Sequence, residues 1–201
     1  HGCNPAEATR KPIAKVKRRR LSLDEWRQIY DMADAHYIKS AMLLALITGQ
    51  RPGDIVNMKF TDIKDDLLYI KQSKTGAKIA IPLELRCVEI DMNLREAVAI
   101  CRDRVLSKYL IHHTKTVAKI KAGDPVTVHS LGRKFAKARD LAGIAADDER
   151  ELPTFYEQRS LSGRLYKAHG LDVQMLWGHK TEKMSELYLD DRADNWQVIS
   201  L

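Results

Sequence analysis

The chain has 201 residues, 44% of them hydrophobic and 30% charged, with 34 Lys+Arg against 27 Asp+Glu for a net charge of +7. That length suits one compact domain, or one with a small appendage, and the composition excludes global disorder. The longest apolar run, Ala41–Ile47, is too short to span a bilayer, and no signal peptide opens the sequence.

The distribution of the charge is more informative than its sum. Residues 1–20 hold seven bases (Arg10, Lys11, Lys15, Lys17, Arg18, Arg19 and Arg20) and one acid, Glu7, whereas the rest of the chain carries 27 bases against 26 acids. A protein basic throughout, of the histone kind, is excluded. A basic arm on a near-neutral globule remains, and its natural partner is a polyanion; a solvated basic linker is the alternative. Three cysteines (Cys3, Cys87, Cys101) are odd in number and lack C-x-x-C spacing. They form neither a disulfide framework nor a zinc site, and a reducing cytoplasm fits them. The chain opens on His1 rather than methionine and is read as part of a longer protein.

Residues 1–20, with Pro5 and Pro12 and no hydrophobic period, read as an extended linker. Ser22 and Glu25 make a capping box, followed by Leu23, Trp26, Ile29, Tyr30 and Ala33 at helical spacing. A second helix, Ile38–Thr48, is apolar on most faces and so central; Gly49 ends it, and Pro52 opens a short helix over Gly53–Met58. Leu67–Lys71 and Lys78–Pro82 read as two strands joined through Gly76. Helices are expected at Ala97–Leu106 and Val126–Ala142, the latter burying Leu131, Phe135, Ala138 and Leu141, with a short strand at Leu110–His113. After an acidic loop at 145–151, Thr154 and Glu157 suggest a second capping box, opening a helix that Gly170 stops. Short helices near Asp172–Trp177 and Thr181–Leu189 and a strand within Trp196–Leu201 complete the chain. The fold class is α+β, mostly helical, with a small antiparallel sheet.

Several side chains carry candidate chemistry, though each alone reads as an ordinary surface or core residue. Arg51 lies in the break between two helices, with Asp54 at i+3 able to hold its guanidinium. Lys74 sits at the tip of the hairpin, a place from which a groove can be entered. Arg159 falls near the start of a helix whose core face is marked by Leu161 and Leu165. His179 follows Gly178 in a turn, and Tyr188 comes nine residues later on a short helix. With a pKa near ~10, such a tyrosine needs a base and a positive site to act as a nucleophile. The acids of the 147–151 loop and His112-His113 read as surface and strand-end residues, not metal ligands.

The ordered set is more specific than its parts. Thr48-Gly-Gln-Arg51-x-Gly-Asp54, Gln72-Ser-Lys-Thr-Gly76, Leu152-Pro-Thr-Phe155, Arg159-Ser-Leu-Ser162, Gly178-His-Lys180, Tyr188 and Asp190-Asp-Arg192 together resemble the tyrosine recombinases, in particular the C-terminal catalytic domain of lambda-type bacteriophage integrases. The likeness extends over residues 4–201. It implies a tyrosine recombinase catalytic-domain fold over 21–201, with a C-terminal tail from about 190 and residues 1–20 as a basic interdomain linker. It also implies roles. Arg51 and Arg159 clamp the scissile phosphate, Lys74 is general acid toward the leaving 5′ oxygen, and His179 bonds the phosphate or assists proton transfer. Tyr188 is the nucleophile, and Asp54 supports the arginines. One departure stands out: where the family has His three residues before the second arginine, this chain has Tyr156, which can donate a hydrogen bond to phosphate but is a poor near-neutral base.

The activity that the resemblance implies is site-specific DNA recombination, of phage or prophage origin, through a 3′-phosphotyrosine intermediate and without metal, ATP or cofactor. Its implied partners are double-stranded DNA attachment sites, further copies of itself in a homotetramer, and DNA-bending accessory proteins, in a bacterial cytoplasm and away from membranes. The resemblance also implies that the tail packs against a neighbouring protomer, or folds back on its own chain in an isolated fragment. A catalytically impaired DNA-binding relative and a type IB topoisomerase-like relaxing enzyme are the alternatives.

Overall fold

A computed structural model describes residues 19–146, 151–178 and 197–199. Helix α1 (Leu23–Met32) begins as its sequence predicts: Ser22 Oγ accepts from the Glu25 amide, and the Glu25 carboxylate accepts from the Ser22 amide. This reciprocal cap satisfies two of the amides that a helix start otherwise leaves unpaired. Its buried face, Trp26 and Ile29, packs toward helix α5.

Helix α2 (His36–Thr48) is the centre of the molecule. All of its residues except His36 and Lys39 are buried, and it contacts α3, α4, α5 and α6. A helix apolar on every side cannot rest on a surface, so the others are built around it. It ends at Gly49, whose φ of 63° is left-handed. Arg51 caps the short helix α3 (Pro52–Asn57), whose first residue is the proline.

Strands β1 (Ile63–Lys64), β2 (Leu67–Lys71) and β3 (Lys78–Pro82) form an antiparallel ribbon in which Leu68 faces Ile81 and Ile70 faces Ile79. All four of these side chains are buried, each contributing about 1.5–3 kcal/mol. Strands β4 (Arg86–Cys87) and β5 (Met92–Asn93) form a separate two-stranded ribbon. Strand β6 (Gln197–Val198) joins the main sheet beside β3, and it does so in parallel. The small antiparallel sheet expected from the sequence is present, and β6 adds one parallel strand at its edge, arriving from the far end of the chain without a hairpin to reverse it.

Helix α4 (Leu94–Cys101) starts three residues earlier than its hydrophobic spacing suggests, at a capping box made by Asn93 and Glu96. It ends at Arg102, which is extended, and Leu106 beyond it is fully exposed. The strand expected at 110–113 reduces to isolated bridges, Tyr109 with Lys59 and His112 with Pro125, although Leu110 and Ile111 are buried. Helix α5 (Val128–Leu141) buries Leu131, Phe135 and Ala138, but Leu141 in its last turn is 58% exposed. Among the described residues no helix is long and apolar enough to cross a membrane.

Helix α6 (Glu157–Ala168) carries Arg159. The capping box expected there does not form. Tyr156, not Thr154, occupies the cap position, and only the Thr154 carbonyl accepts from the Glu157 amide. The Glu157 carboxylate is drawn away toward Arg20 Nη1 at 3.4 Å, leaving the box without its return bond. Arg20 also donates to Ser160 Oγ, and Arg19 donates to Glu25 and to the Ala145 carbonyl. The last two arginines of the basic segment are thus bonded to the domain. Helix α6 is held to α1 by Trp26 Nε1 donating to Gln158 Oε1, and to α2 by the Tyr166 hydroxyl donating to the Ile47 carbonyl. The short helix α7 (Val173–Leu176), capped by the Asp172 carboxylate, comes next and leads to Trp177 and Gly178.

Candidate active site

Four chain segments meet where α2 ends: the 49–51 break, the start of α6, the β2–β3 loop and the end of α7. Arg159 is 6% exposed. Its Nη1 donates to the Gly49 carbonyl at 2.7 Å and its Nη2 to the Trp177 carbonyl at 3.2 Å, while the guanidinium lies over the Trp177 ring at 4.9 Å. The tight approach is possible because residue 163, one turn along α6, is glycine: a Cβ there would lie 2.3 Å from Trp177 Cζ2.

Arg51 is half-buried, and its Nη1 donates to Gln72 Oε1 at 2.9 Å. Neither guanidinium forms an ion pair with a carboxylate among the described residues. Burial, and then the positive charge of Arg51, push the Arg159 pKa down to about 10; Tyr156 and Asp54 oppose this more weakly. Two partly buried cations with no counter-ion among the described residues make a site that an anion would stabilise.

Asp54 does not hold Arg51 as its i+3 spacing suggests. Arg51 sits at the cap of α3 (φ −70°, ψ 153°), and its guanidinium reaches Gln72 Oε1. The Asp54 carboxylate, 4% exposed, instead accepts from the Ser73 amide at 2.8 Å and from Ser73 Oγ at 2.9 Å. It therefore grips the residue before Lys74. On the other side of the loop, Thr75 Oγ1 donates to Gln72 Oε1, the Gly76 amide to the Gln72 carbonyl, and the Gln72 amide to the Ala77 carbonyl. Lys74 itself is exposed and makes no hydrogen bond or ion pair among the described residues. The loop is fixed on both sides of Lys74, whose ammonium group is unengaged among the described residues.

Tyr156 is 44% exposed at the cap of α6, three residues before Arg159. Gly178, at φ 63°, is packed against Ile79 and Ala77 of β3 and its approach; a Cβ there would lie 2.8 Å from Ile79 Cδ1. His179 and Tyr188 lie outside the described residues, as do Arg10, Lys11, Lys15, Lys17 and Arg18. The fold thus brings Arg51, Asp54, Lys74, Tyr156 and Arg159 to one place and leads the chain from it toward His179. Sequence reading missed two residues in this cluster, Gln50 and Gln72, each 1% exposed. The only signal was their place beside Arg51 and Lys74, since an uncharged amide gives no chemical cue of its own.

No group of three or more His, Cys, Asp or Glu residues suited to a metal ion occurs among the described residues. His112 is instead bonded to the Tyr109 carbonyl and the Asp103 carboxylate.

Comparison with known proteins agrees with this geometry. The model of the phage integrase family matches residues 19–194. The prophage integrase IntE of Escherichia coli (strain K12) is 52% identical over the whole chain, which covers 54% of that protein; the integrase of Enterobacteria phage P21 is 49% identical, with 53% covered. The chain therefore spans about half the length of these relatives. Among solved structures, the lambda integrase catalytic core superimposes with a TM-score of 0.78 at 36% identity, covering 92% of this chain and all of that one. A lambda integrase (75–356) dimer bound to a core site gives 0.77 at 38% identity, covering 90% of this chain and 65% of that one. On the extent of the family match, the shared fold and the convergence of its arginines, this chain belongs to the phage integrase family.

Proposed function

We propose that the chain is the catalytic part of a site-specific DNA recombinase of phage or prophage type. The observation that carries the reading is the pair Arg51 and Arg159, both fixed by neutral oxygen acceptors and neither ion-paired among the described residues. Such a pair has its charge available for the non-bridging oxygens of a phosphodiester. In a partly water-excluded site these donors stabilise charge that grows in the transition state.

In this mechanism the Tyr188 oxygen attacks phosphorus as its proton passes to His179, which gives it back when Tyr188 is released, and the bond to the 5′ oxygen breaks. Lys74, presented by its pinned loop, gives a proton to that leaving oxygen. His179 and Tyr156 donate to phosphate oxygens. The product is a 3′-phosphotyrosine and a free 5′ hydroxyl. A 5′ hydroxyl of a partner duplex then attacks the phosphotyrosine, returning the proton to Lys74 and releasing Tyr188. One phosphodiester replaces another, so no nucleotide is consumed. Attachment-site DNA is the substrate, in the cytoplasm of a bacterial host, and the tetrameric lambda integrase on a Holliday junction suggests four copies as the working assembly.

A duplex nicked beside the cleavage point, so that the 5′ fragment diffuses away, traps the covalent adduct. The parent chain should form an adduct that survives denaturing electrophoresis, and Tyr188→Phe should form none while retaining DNA binding. An adduct with Tyr188→Phe would refute the nucleophile assignment, and binding without any parental adduct would leave only a DNA-binding relative.

A further inference from the structure

One buried side chain links several segments of this site, and the mechanism does not use it. Gln72, directly after β2, is 1% exposed, and all four hydrogen-bonding positions of its amide are filled. Its Oε1 accepts from Arg51 Nη1 at 2.9 Å and from Thr75 Oγ1 at 2.7 Å. Its Nε2 donates to Gln50 Oε1 at 2.7 Å and to the Trp177 carbonyl at 3.0 Å. The orientation is forced, because a guanidinium only donates and a carbonyl only accepts. Gln50 is locked in turn, its Nε2 donating to the Thr48 and Leu176 carbonyls.

The Trp177 carbonyl that Gln72 holds is the same one that Arg159 holds. Gln72 is thus one bond from Arg51, one shared acceptor from Arg159 and two residues from Lys74, and the Trp177 it holds lies two residues before His179. We propose that Gln72 is a positioning residue that sets both arginines, the Lys74 loop and the chain entering His179 in register as one unit. This rests on the recombinase reading above. A buried hub whose own four hydrogen-bonding positions are all filled is stiff, and removing it frees several segments together.

Two substitutions test it. Gln72→Leu removes all four bonds. Gln72→Glu keeps the shape and still accepts from Arg51 and Thr75, but turns a carboxylate oxygen toward two acceptors, Gln50 Oε1 and the Trp177 carbonyl. The first measurement is single-turnover formation of the covalent adduct on the nicked duplex at saturating DNA, with the DNA Kd measured separately. Loss of alignment of about 1 Å predicts a rate fall of about 100-fold for Gln72→Leu, with Kd changed by less than about 3-fold. The second is amide hydrogen exchange, which needs no activity. Exchange should rise together in residues 49–52, 72–78 and 173–178.

A rate within about 3-fold of the parent, or faster exchange confined to 72–78, would overturn the proposal. If Gln72→Leu does not fold, Gln72→Glu carries the same two measurements. A parent chain that forms no adduct refutes the recombinase reading instead, and the exchange pattern still decides whether Gln72 couples the three segments.

Discussion

Replacing Gly163 by alanine sets two effects of opposite sign against each other. In a helix interior, alanine is favoured over glycine by about 1 kcal/mol. The new Cβ, however, would lie 2.3 Å from Trp177 Cζ2, 2.9 Å from Cη2 and 3.1 Å from Val173 Cγ1. The ring must withdraw by about 1 Å, and forcing a methyl group into a packed site costs about 1–3 kcal/mol. The net loss is then about 0–2 kcal/mol, and at about 2–4 °C per kcal/mol for a chain of this size Tm falls by no more than about 8 °C. The effect on chemistry should be far larger. Arg159 rests on the Trp177 ring and on its carbonyl, so moving the residue misplaces the guanidinium, and about 1 Å there is worth roughly 100-fold in rate. Thermal unfolding paired with single-turnover cleavage separates the two. Adding Trp177→Leu, which removes both crowded ring atoms, should recover the stability lost to the methyl group. A higher Tm with unchanged cleavage in Gly163→Ala would show that the ring yields freely and does not position Arg159.

Burial and charge set two other outcomes. Cys87 and Cys101 are buried, which pushes both thiols up to about 12. In the unfolded chain they ionise near ~8.5, so stability from this source is intact below that pH and declines toward about 12, by up to about 1.4 kcal/mol per pH unit for each thiol. Urea titrations at pH 8 and 10 should show the loss, and it should vanish in a Cys87→Ala, Cys101→Ala chain; equal losses in both chains would assign it to other groups. The basic segment should divide between Arg18 and Arg19. Arg19 is engaged by Glu25 and the Ala145 carbonyl, so Arg19→Gln should leave the dependence of DNA affinity on salt unchanged, whereas Lys15→Gln, Lys17→Gln and Arg18→Gln together should flatten it by up to about 2.7 in log–log slope. A slope altered by Arg19→Gln alone would mean that its bonds open on DNA.

Local chemistry was legible in the sequence where one short-range rule governed it. The Ser22 box, the αL stop at Gly49, Pro52 at the start of α3 and both strands of the hairpin appear where their residues predict. Distant partners decided the rest. Thr154 and Glu157 have capping-box spacing, yet Glu157 bonds Arg20, 137 residues away in sequence. Asp54 has the spacing to hold Arg51 and holds Ser73, while the arginine bonds Gln72, 21 residues along the chain. Asn93 and Glu96 carried a legible cap for α4 that the hydrophobic spacing alone obscured. Gln72 shows the deeper limit: its importance comes from four partners spread along the chain, and nothing in its own type announces them.

The parallel pairing of β6 with β3 bears on how copies of this chain would associate. The edge of β3 accepts one strand, and residues 197–198 of the same chain occupy it, with the Ile199 amide donating to the Ala80 carbonyl and the Ile199 side chain buried. A tail from a second copy can enter only where the first has left. If copies trade tails, each gives one strand and receives one, and the number of main-chain bonds is conserved. The trade is then close to neutral in bonding, and its direction is a matter of mass action. Dilute copies keep their own tails. Copies held side by side raise the effective concentration of a neighbour's tail toward about millimolar, tipping the balance without any new contact.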